Sequence, residues 1–298
     1  MSLKKPARVE CITICLFIVL ATCAAQPCSL EEQEYEEYGT FEGYFESGST
    51  IIPHPDKVDK GGEDALIVKD GLISVADGVG GWATSGVDPG LYSKQLIKFI
   101  GQEYEKNNEF TPKEILSAAN NRTTHIGTST CVIAILRPQC KAIDTTVLGD
   151  SSYLLLRPEN GTLKTLFRSK EQQKSFNFPY QCGTNGDDPK LAVDNRHPVK
   201  DGDIIVMGSD GVFDNCFDPE IIDILTKNLK NGILTNLQGL SDEIAALSST
   251  HGHDENWRSP FEISAEKAYH RKVFLGGKLD DISVIVTQIH LSKVSTTI

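Results

Sequence analysis

Positive charge is in short supply in this chain. Lys and Arg number 29 against 41 Asp and Glu, for a formal net charge of −12. Binding a nucleic-acid backbone takes a basic excess or a dense basic cluster, and none follows Lys4, Lys5 and Arg8, so the sequence argues against that partner. Long apolar runs are also lacking. The stretch Cys11 to Ala25 has the length of a signal-peptide core and falls short of a membrane span. Cysteine is scattered: three of the eight (Cys11, Cys15, Cys23) lie in that stretch. The others, Cys28, Cys131, Cys140, Cys182 and Cys216, include no close pair that makes a zinc site. His251 and His253 lack an adjacent third ligand and read as solvated residues. Gly80-Gly81 is not followed by the Lys-Ser/Thr of a phosphate-binding loop, and no EF-hand loop is present, so nucleotide and calcium-module readings fall away.

What is there begins with a separate N-terminal unit. Basic residues, an apolar run and the small residues Thr22-Cys23-Ala24-Ala25 mark residues 1–25 as a cleaved secretory leader. A retained membrane anchor and an organelle-targeting segment are the alternatives. Entry into the secretory pathway would make Asn121 and Asn160 glycosylation acceptors. Residues 26–39 are Glu-rich, without a hydrophobic period, and read as a flexible lead-in. Residues 40–290 form one expected domain, expected to act as a monomer, and the composition of the whole chain (39% hydrophobic, 23% charged) is that of an ordinary soluble globular protein.

Within that domain short apolar strands dominate the first two thirds. They are expected at 41–52, 65–69, 72–76, 129–136, 143–149, 151–157, 162–167 and 203–208, with a last one at 282–289. Helices are expected from Pro89 to Glu105, from the capping box Thr111-Pro112-Lys113-Glu114, from Asp218-Pro219, over 241–250, and from a second capping box at Ser259-Pro260-Phe261-Glu262. Residues 168–200 are polar and read as a long loop. Strands of antiparallel type with helices in separate groups imply an α+β fold of stacked sheets flanked by helices.

Acidic residues punctuate the strand ends. Glu63-Asp64 precedes one strand, Asp77 ends another, Asp210 follows a third, and Asp280-Asp281 leads into the last. Each alone reads equally well as a turn or a solvated charge. Together, carboxylates delivered to one edge are what a hard divalent cation such as Mg²⁺ or Mn²⁺ needs. That chemistry points to hydrolysis of a phosphate ester.

The ordered segments Gly62-Glu63-Asp64-Ala65, Val75-Ala76-Asp77-Gly78-Val79-Gly80-Gly81-Trp82, Leu148-Gly149-Asp150-Ser151, Ser209-Asp210-Gly211-Val212-Phe213-Asp214 and Gly277-Lys278-Leu279-Asp280-Asp281-Ile282-Ser283-Val284 resemble the motifs of the metal-dependent PP2C protein phosphatases. The branch resembled is that of the mitochondrial PTC7-type enzymes and their plant relatives. The resemblance implies a four-layer α/β/β/α sandwich whose two antiparallel sheets hold a binuclear Mn²⁺ or Mg²⁺ centre. It implies attack on phosphoserine or phosphothreonine of a protein substrate by a metal-bridging water. By motif, Asp77 bridges both ions, the Gly78 carbonyl and Glu63 serve one, and Asp210 and Asp280 serve the other. Asp64 partners them, and Asp150 with Asp210 would hold a weaker third ion.

Two positions depart from the family pattern. Where many relatives carry a His proposed as general acid, this chain has Val79, whose side chain has no proton to give. Where many carry a phosphate-gripping Arg, it has Asp59, leaving Lys57 as the candidate among His54, Lys57 and Lys60. An inactive phosphatase-like binding protein and a small-molecule phosphohydrolase remain the alternative readings.

Overall fold

The computed structural model describes residues 40–294. The expected leader and lead-in lie outside the described residues. Strands β1 (Phe41–Ile52), β2 (Asp64–Lys69), β3 (Leu72–Asp77), β4 (Cys131–Arg137), β5 (Ala142–Leu148), β6 (Ser152–Glu159), β7 (Thr162–Arg168), β8 (Val193–Pro198), β9 (Ile204–Gly208) and β10 (Ile282–Lys293) form two five-stranded sheets. One runs in the order β1-β10-β9-β6-β7 and the other β8-β5-β4-β3-β2. Every neighbouring pair is antiparallel.

Strand periodicity sorts side chains into three apolar layers. Alternate residues of β9 and β10 (Ile205, Met207, Ile285) meet Ile73, Val75 and Val132 between the sheets. The intervening residues (Ile204, Val206, Val284, Val286) pack under α4 (Asp218–Lys227) and α5 (Leu237–His253), against Ile221, Leu225 and Ile244. On the other outer face, Leu72, Ile133 and Ile135 meet Leu96, Ile100 and Ile115 of α1 (Pro89–Lys106) and α2 (Pro112–Arg122). Strands covered on both faces are apolar at successive positions, which is why Ile204-Ile205-Val206-Met207 shows no alternation. The four-layer α/β/β/α sandwich is therefore present. Among the described residues no helix is long and apolar enough to cross a membrane.

Local signals set the helix starts. Thr111 Oγ1 accepts from Glu114 N (3.2 Å) and Glu114 Oε2 accepts from Thr111 N (2.8 Å), the reciprocal bonds of a capping box. The second expected box is only half formed. Ser259 Oγ accepts from Glu262 N (3.0 Å), but the Glu262 carboxylate turns to Gly276 N (3.1 Å), a buried donor that outcompetes the cap.

The expected loop 168–200 also contains β8, paired with β5 from Val193↔Val147 to Pro198↔Ala142. Five of its six residues are polar or proline, and it sits at a sheet edge, held by main-chain bonds that leave no apolar signature. Earlier in that loop Phe176 packs on Phe261 and Tyr269 (ring centroids 5.0 and 5.6 Å) and so serves packing. His251 is not solvated as expected. It stacks on Trp257 at 3.8 Å, with its Nδ1 3.0 Å from the Asn215 carbonyl.

Candidate metal centre

Antiparallel pairing brings the acidic positions to one edge of the sandwich. Asp64 opens β2 and Asp77 closes β3, and the register sets them directly opposite each other. Like charges so opposed destabilise a sheet unless something compensates them. Gly208 closes β9 and leads through Ser209 into the single turn α3 (Asp210–Phe213), which starts at Asp210 and is capped at its end by Asp214. Asp280 and Asp281 stand immediately before β10, and Asp150 sits in the turn between β5 and β6. Glu63, Asp64, Asp150 and Asp281 are buried, while Asp77, Asp210, Asp214 and Asp280 are partly so.

Asp281 organises the entry to β2. Its Oδ1 accepts from His54 N (2.8 Å), and its Oδ2 accepts from Glu63 N (3.1 Å) and Lys57 Nζ (3.0 Å). Gly62 has φ +71°, and a Cβ there would sit 2.5 Å from Asp281 Oδ1, so only glycine lets this turn close on the carboxylate. Lys57 Nζ also donates to Glu63 Oε2 (2.6 Å) and lies 4.0 Å from Asp280 Oδ1. Across the cluster, Lys278 Nζ donates to Asp210 Oδ2 (2.6 Å) and Asp214 Oδ2 (2.7 Å), and lies 3.2 Å from Asp280 Oδ2.

Two ammonium groups do not balance this many carboxylates. Burial, then Asp64, Asp210, Asp280 and Asp150, hold Asp77 well above the usual carboxylate range. Burial and then Asp281 push Asp64 up to about 8. Asp280 is raised by burial and Asp210, and Asp150 by burial, Asp210 and Asp214. Burial works against ionising Asp210 too, but Lys278 draws it below its ordinary value. Burial alone would lower both lysines, and their carboxylate partners raise them instead. More positive charge is what the cluster needs in order to ionise.

As the side chains stand, no three His, Cys, Asp or Glu among the described residues close on a common point to hold an ion. The residues nevertheless fit a hard divalent cation. Both carboxylate oxygens of Asp64 and the Oδ1 of Asp210 are buried with no hydrogen-bond partner. Such orphaned acceptors are costly unless a cation meets them. All the side-chain donors are oxygen, as Mg²⁺ or Mn²⁺ prefers.

The structure thus brings together Glu63, Asp64, Asp77, Asp150, Asp210, Asp280 and Lys57, all expected from the sequence. Gly78 follows Asp77 and is fixed by Gly78 N donating to the Glu63 carbonyl (3.1 Å). Trp82 is pinned beside it, with Nε1 donating to Thr128 Oγ1 (2.7 Å). His54 and Lys60 present main-chain groups to this region, His54 N to Asp281 and the Lys60 carbonyl to Lys94 Nζ (3.0 Å). Sequence reasoning missed Lys278 and Asp214 as members of the cluster, and it counted Asp281 among the converging acids without giving it a role. All three lie inside the quoted motif segments, but their partners are set by tertiary contact. Cys216 belongs to the apolar layer under α5, and burial pushes its thiol up to about 12, away from the thiolate form a nucleophile needs.

No family model matched the chain. Among curated proteins, probable protein phosphatase 2C 55 of Arabidopsis thaliana is 39% identical over 254 residues, covering 83% of this chain and 52% of its own length. Probable protein phosphatase 2C 26 of the same plant is 35% identical over 260 residues, covering 81% and 83%. Protein phosphatase PTC7 homolog fig of Drosophila willistoni is 34% identical, covering 76% and 77%. The expected nearness to the PTC7-type branch is thus shared with plant proteins of equal or higher identity. The chain spans between half and three fifths of the length of the first curated relatives it matches. Among solved structures, the photosystem II phosphatase PBCP superposes with a TM-score of 0.73 at 32% identity, covering 82% of this chain and 98% of that one. The catalytic domain of the phosphatase PstP, in complex with two manganese ions, shares the fold at a TM-score of 0.57 and 14% identity, covering 84% and 100%.

Proposed function

The chain belongs to the protein phosphatase 2C family, and from that premise we propose that it is a metal-dependent protein serine/threonine phosphatase using water as the direct nucleophile. The observation that carries this reading is the convergence of carboxylates from five chain segments, with buried oxygens of Asp64 and Asp210 left unpaired. Two Mn²⁺ or Mg²⁺ ions bound there would supply Lewis-acid charge stabilisation and an activated water. In this reading Asp77 would be shared by the pair, the Gly78 carbonyl and Glu63 would hold one ion, and Asp210 and Asp280 the other, with Asp64 beside Asp77. Asp281 holds the Glu63 main chain and Lys57 in register with them. Lys57 neutralises charge on the incoming phosphate while still tethered to Glu63 and Asp281. The finer reading, a nearness to PTC7-type enzymes, is supported by the likeness of the segment His54 to Lys60 to that branch.

Val79 favours one second reading, a metal-binding but inactive phosphatase. Its side chain offers no proton to the leaving group, which would then depart with a proton from water. One assay separates the readings: purified full-length protein on phosphoserine and phosphothreonine peptides and on small phosphomonoesters, with Mn²⁺, Mg²⁺ or excess chelator. The expected result is peptide hydrolysis with either metal and none with chelator. Folded protein that binds metal without turnover would establish the inactive reading. Hydrolysis confined to small esters would redirect the substrate class.

A further inference from the structure

Lys278 is placed with more care than a lysine that merely balances charge. Its backbone is gripped on both sides by the buried Asn215 amide, whose Oδ1 accepts from Lys278 N (2.9 Å) and whose Nδ2 donates to the Lys278 carbonyl (2.8 Å). The Asn215 carbonyl is held in turn by Trp257 Nε1 (2.9 Å). From that fixed root the side chain crosses the Phe261 ring, its ammonium 4.9 Å from the centroid, and ends between Asp210 and Asp214.

Those two acids share one face of a single helical turn, with Asp214 N donating to the Asp210 carbonyl (2.7 Å). Asp150 stands on the same side, where Asp210, Asp214 and Lys278 are its main charged neighbours. Asp210 is thereby divided: Oδ2 is committed to the ammonium, and Oδ1 is buried without a partner. One oxygen remains for one divalent ion. A further ion held between Asp210 and Asp150 would need the other oxygen, next to a positive charge that the chain cannot easily move away.

We propose that the Lys278 ammonium is the resident cation of the Asp150–Asp210–Asp214 side, so that the protein takes two divalent ions and not three. The inference rests on the two-ion reading above and assigns Lys278 as a positioning residue that fixes the number of ions and the orientation of Asp210. It replaces the third ion that the family resemblance implies with a side chain of the protein itself.

The test is a count of bound Mn²⁺ per full-length chain by equilibrium dialysis and calorimetry, with circular dichroism to confirm folding. Wild type should bind two, and Asp150→Asn should also bind two. Lys278→Met should gain a third, weaker ion, lost again when Asp150→Asn is added, whereas Lys278→Arg should stay at two. A third ion in wild type that disappears in Asp150→Asn would overturn the proposal, as would a folded Lys278→Met that still binds two. If Lys278→Met does not fold, wild type against Asp150→Asn decides alone. Wild-type protein binding no ion would sink the metal-dependent reading and this inference with it, while a third ion sinks only the inference.

Discussion

Asp281→Asn should lower the melting temperature of chelator-treated protein by roughly 4–8 °C, whereas Asp280→Asn, one residue earlier, should leave it level or raise it. The buried Asp281 carboxylate accepts from His54 N, Glu63 N and Lys57 Nζ at 2.8, 3.1 and 3.0 Å. An amide keeps one acceptor oxygen. If that oxygen stays on His54, the Glu63 N–H and the Lys57 ammonium both face an NH₂ group. The lost charge-assisted bond is worth about 1.5–3 kcal/mol, and the stranded N–H costs about 1–3 kcal/mol more. Against this, removing the charge relieves Asp64, which burial and Asp281 hold near 8. That relief is on the order of 1–2 kcal/mol. The net is about 2 kcal/mol, and a domain of this size shifts by about 2–4 °C per kcal/mol.

Asp280 differs because its bond from Asp281 N to Oδ1 (2.9 Å) survives in Asn. Although the amide weakens the contact with Lys278 Nζ (3.2 Å), that ammonium keeps Asp210 and Asp214, while burial with Asp210 already favours the neutral form of Asp280. Adding Mn²⁺ separates the two variants again. Asp281→Asn should keep the metal-induced rise in melting temperature, and Asp280→Asn should lose most of it. Melting curves followed by circular dichroism, with chelator and with Mn²⁺, measure both effects. An Asp281→Asn protein melting within about 1 °C of wild type in chelator, or an Asp280→Asn protein falling as far, would refute the division of labour.

Other perturbations probe the site and its frame. Asp77→Asn should cut turnover by at least ~100-fold at saturating Mn²⁺, and Asp150→Asn by less than ~10-fold; phosphopeptide kinetics decide, and near-normal Asp77→Asn would remove Asp77 from the bridging role. In Gly211→Ala the new methyl would run into the Asp281 carbonyl oxygen, a backbone atom that cannot step aside. Overpacking of that kind costs about 2–3 kcal/mol, and an unchanged urea midpoint would show that the two segments are not so tightly opposed. Burial lowers the pKa of His197, which bonds Tyr153 Oη at 2.7 Å. A folded state that resists protonating this His keeps its full stability above the unfolded pKa and loses it as pH falls through that value, near ~6.5. The melting temperature should therefore fall less steeply from pH 7 to pH 5 in His197→Gln than in wild type.

The elements with local causes were legible in the sequence. The Thr111 cap and its Glu114 partner, Pro at helix starts, and apolar strands ending in Asp77 or leading to Asp210 all act within a few residues. The carboxylates were legible because strand ends announce themselves. Three things were not. β8 takes its place from main-chain pairing at an edge, so Asp194-Asn195-Arg196-His197 carries no hydrophobic period. The Glu262 carboxylate leaves its cap for Gly276 N, a partner 14 residues away. Lys278 takes its role from Asp214 and Asp210, 64 and 68 residues away in sequence, and Asp281 takes its own from groups as far as His54, 227 residues away, so nothing next to either one names its partners.

The pairing of β1 with β10 along twelve residues, with β10 seated between β1 and β9, has a consequence for how the protein is made. As the chain leaves the ribosome, β1 emerges early and waits with an open hydrogen-bonding edge while more than two hundred residues are added. The strand that fills the gap between β1 and β9 comes last, just behind Asp280 and Asp281. The acidic edge and the first sheet therefore mature in one late event, and until then β1 depends on chaperones to keep its edge from other chains.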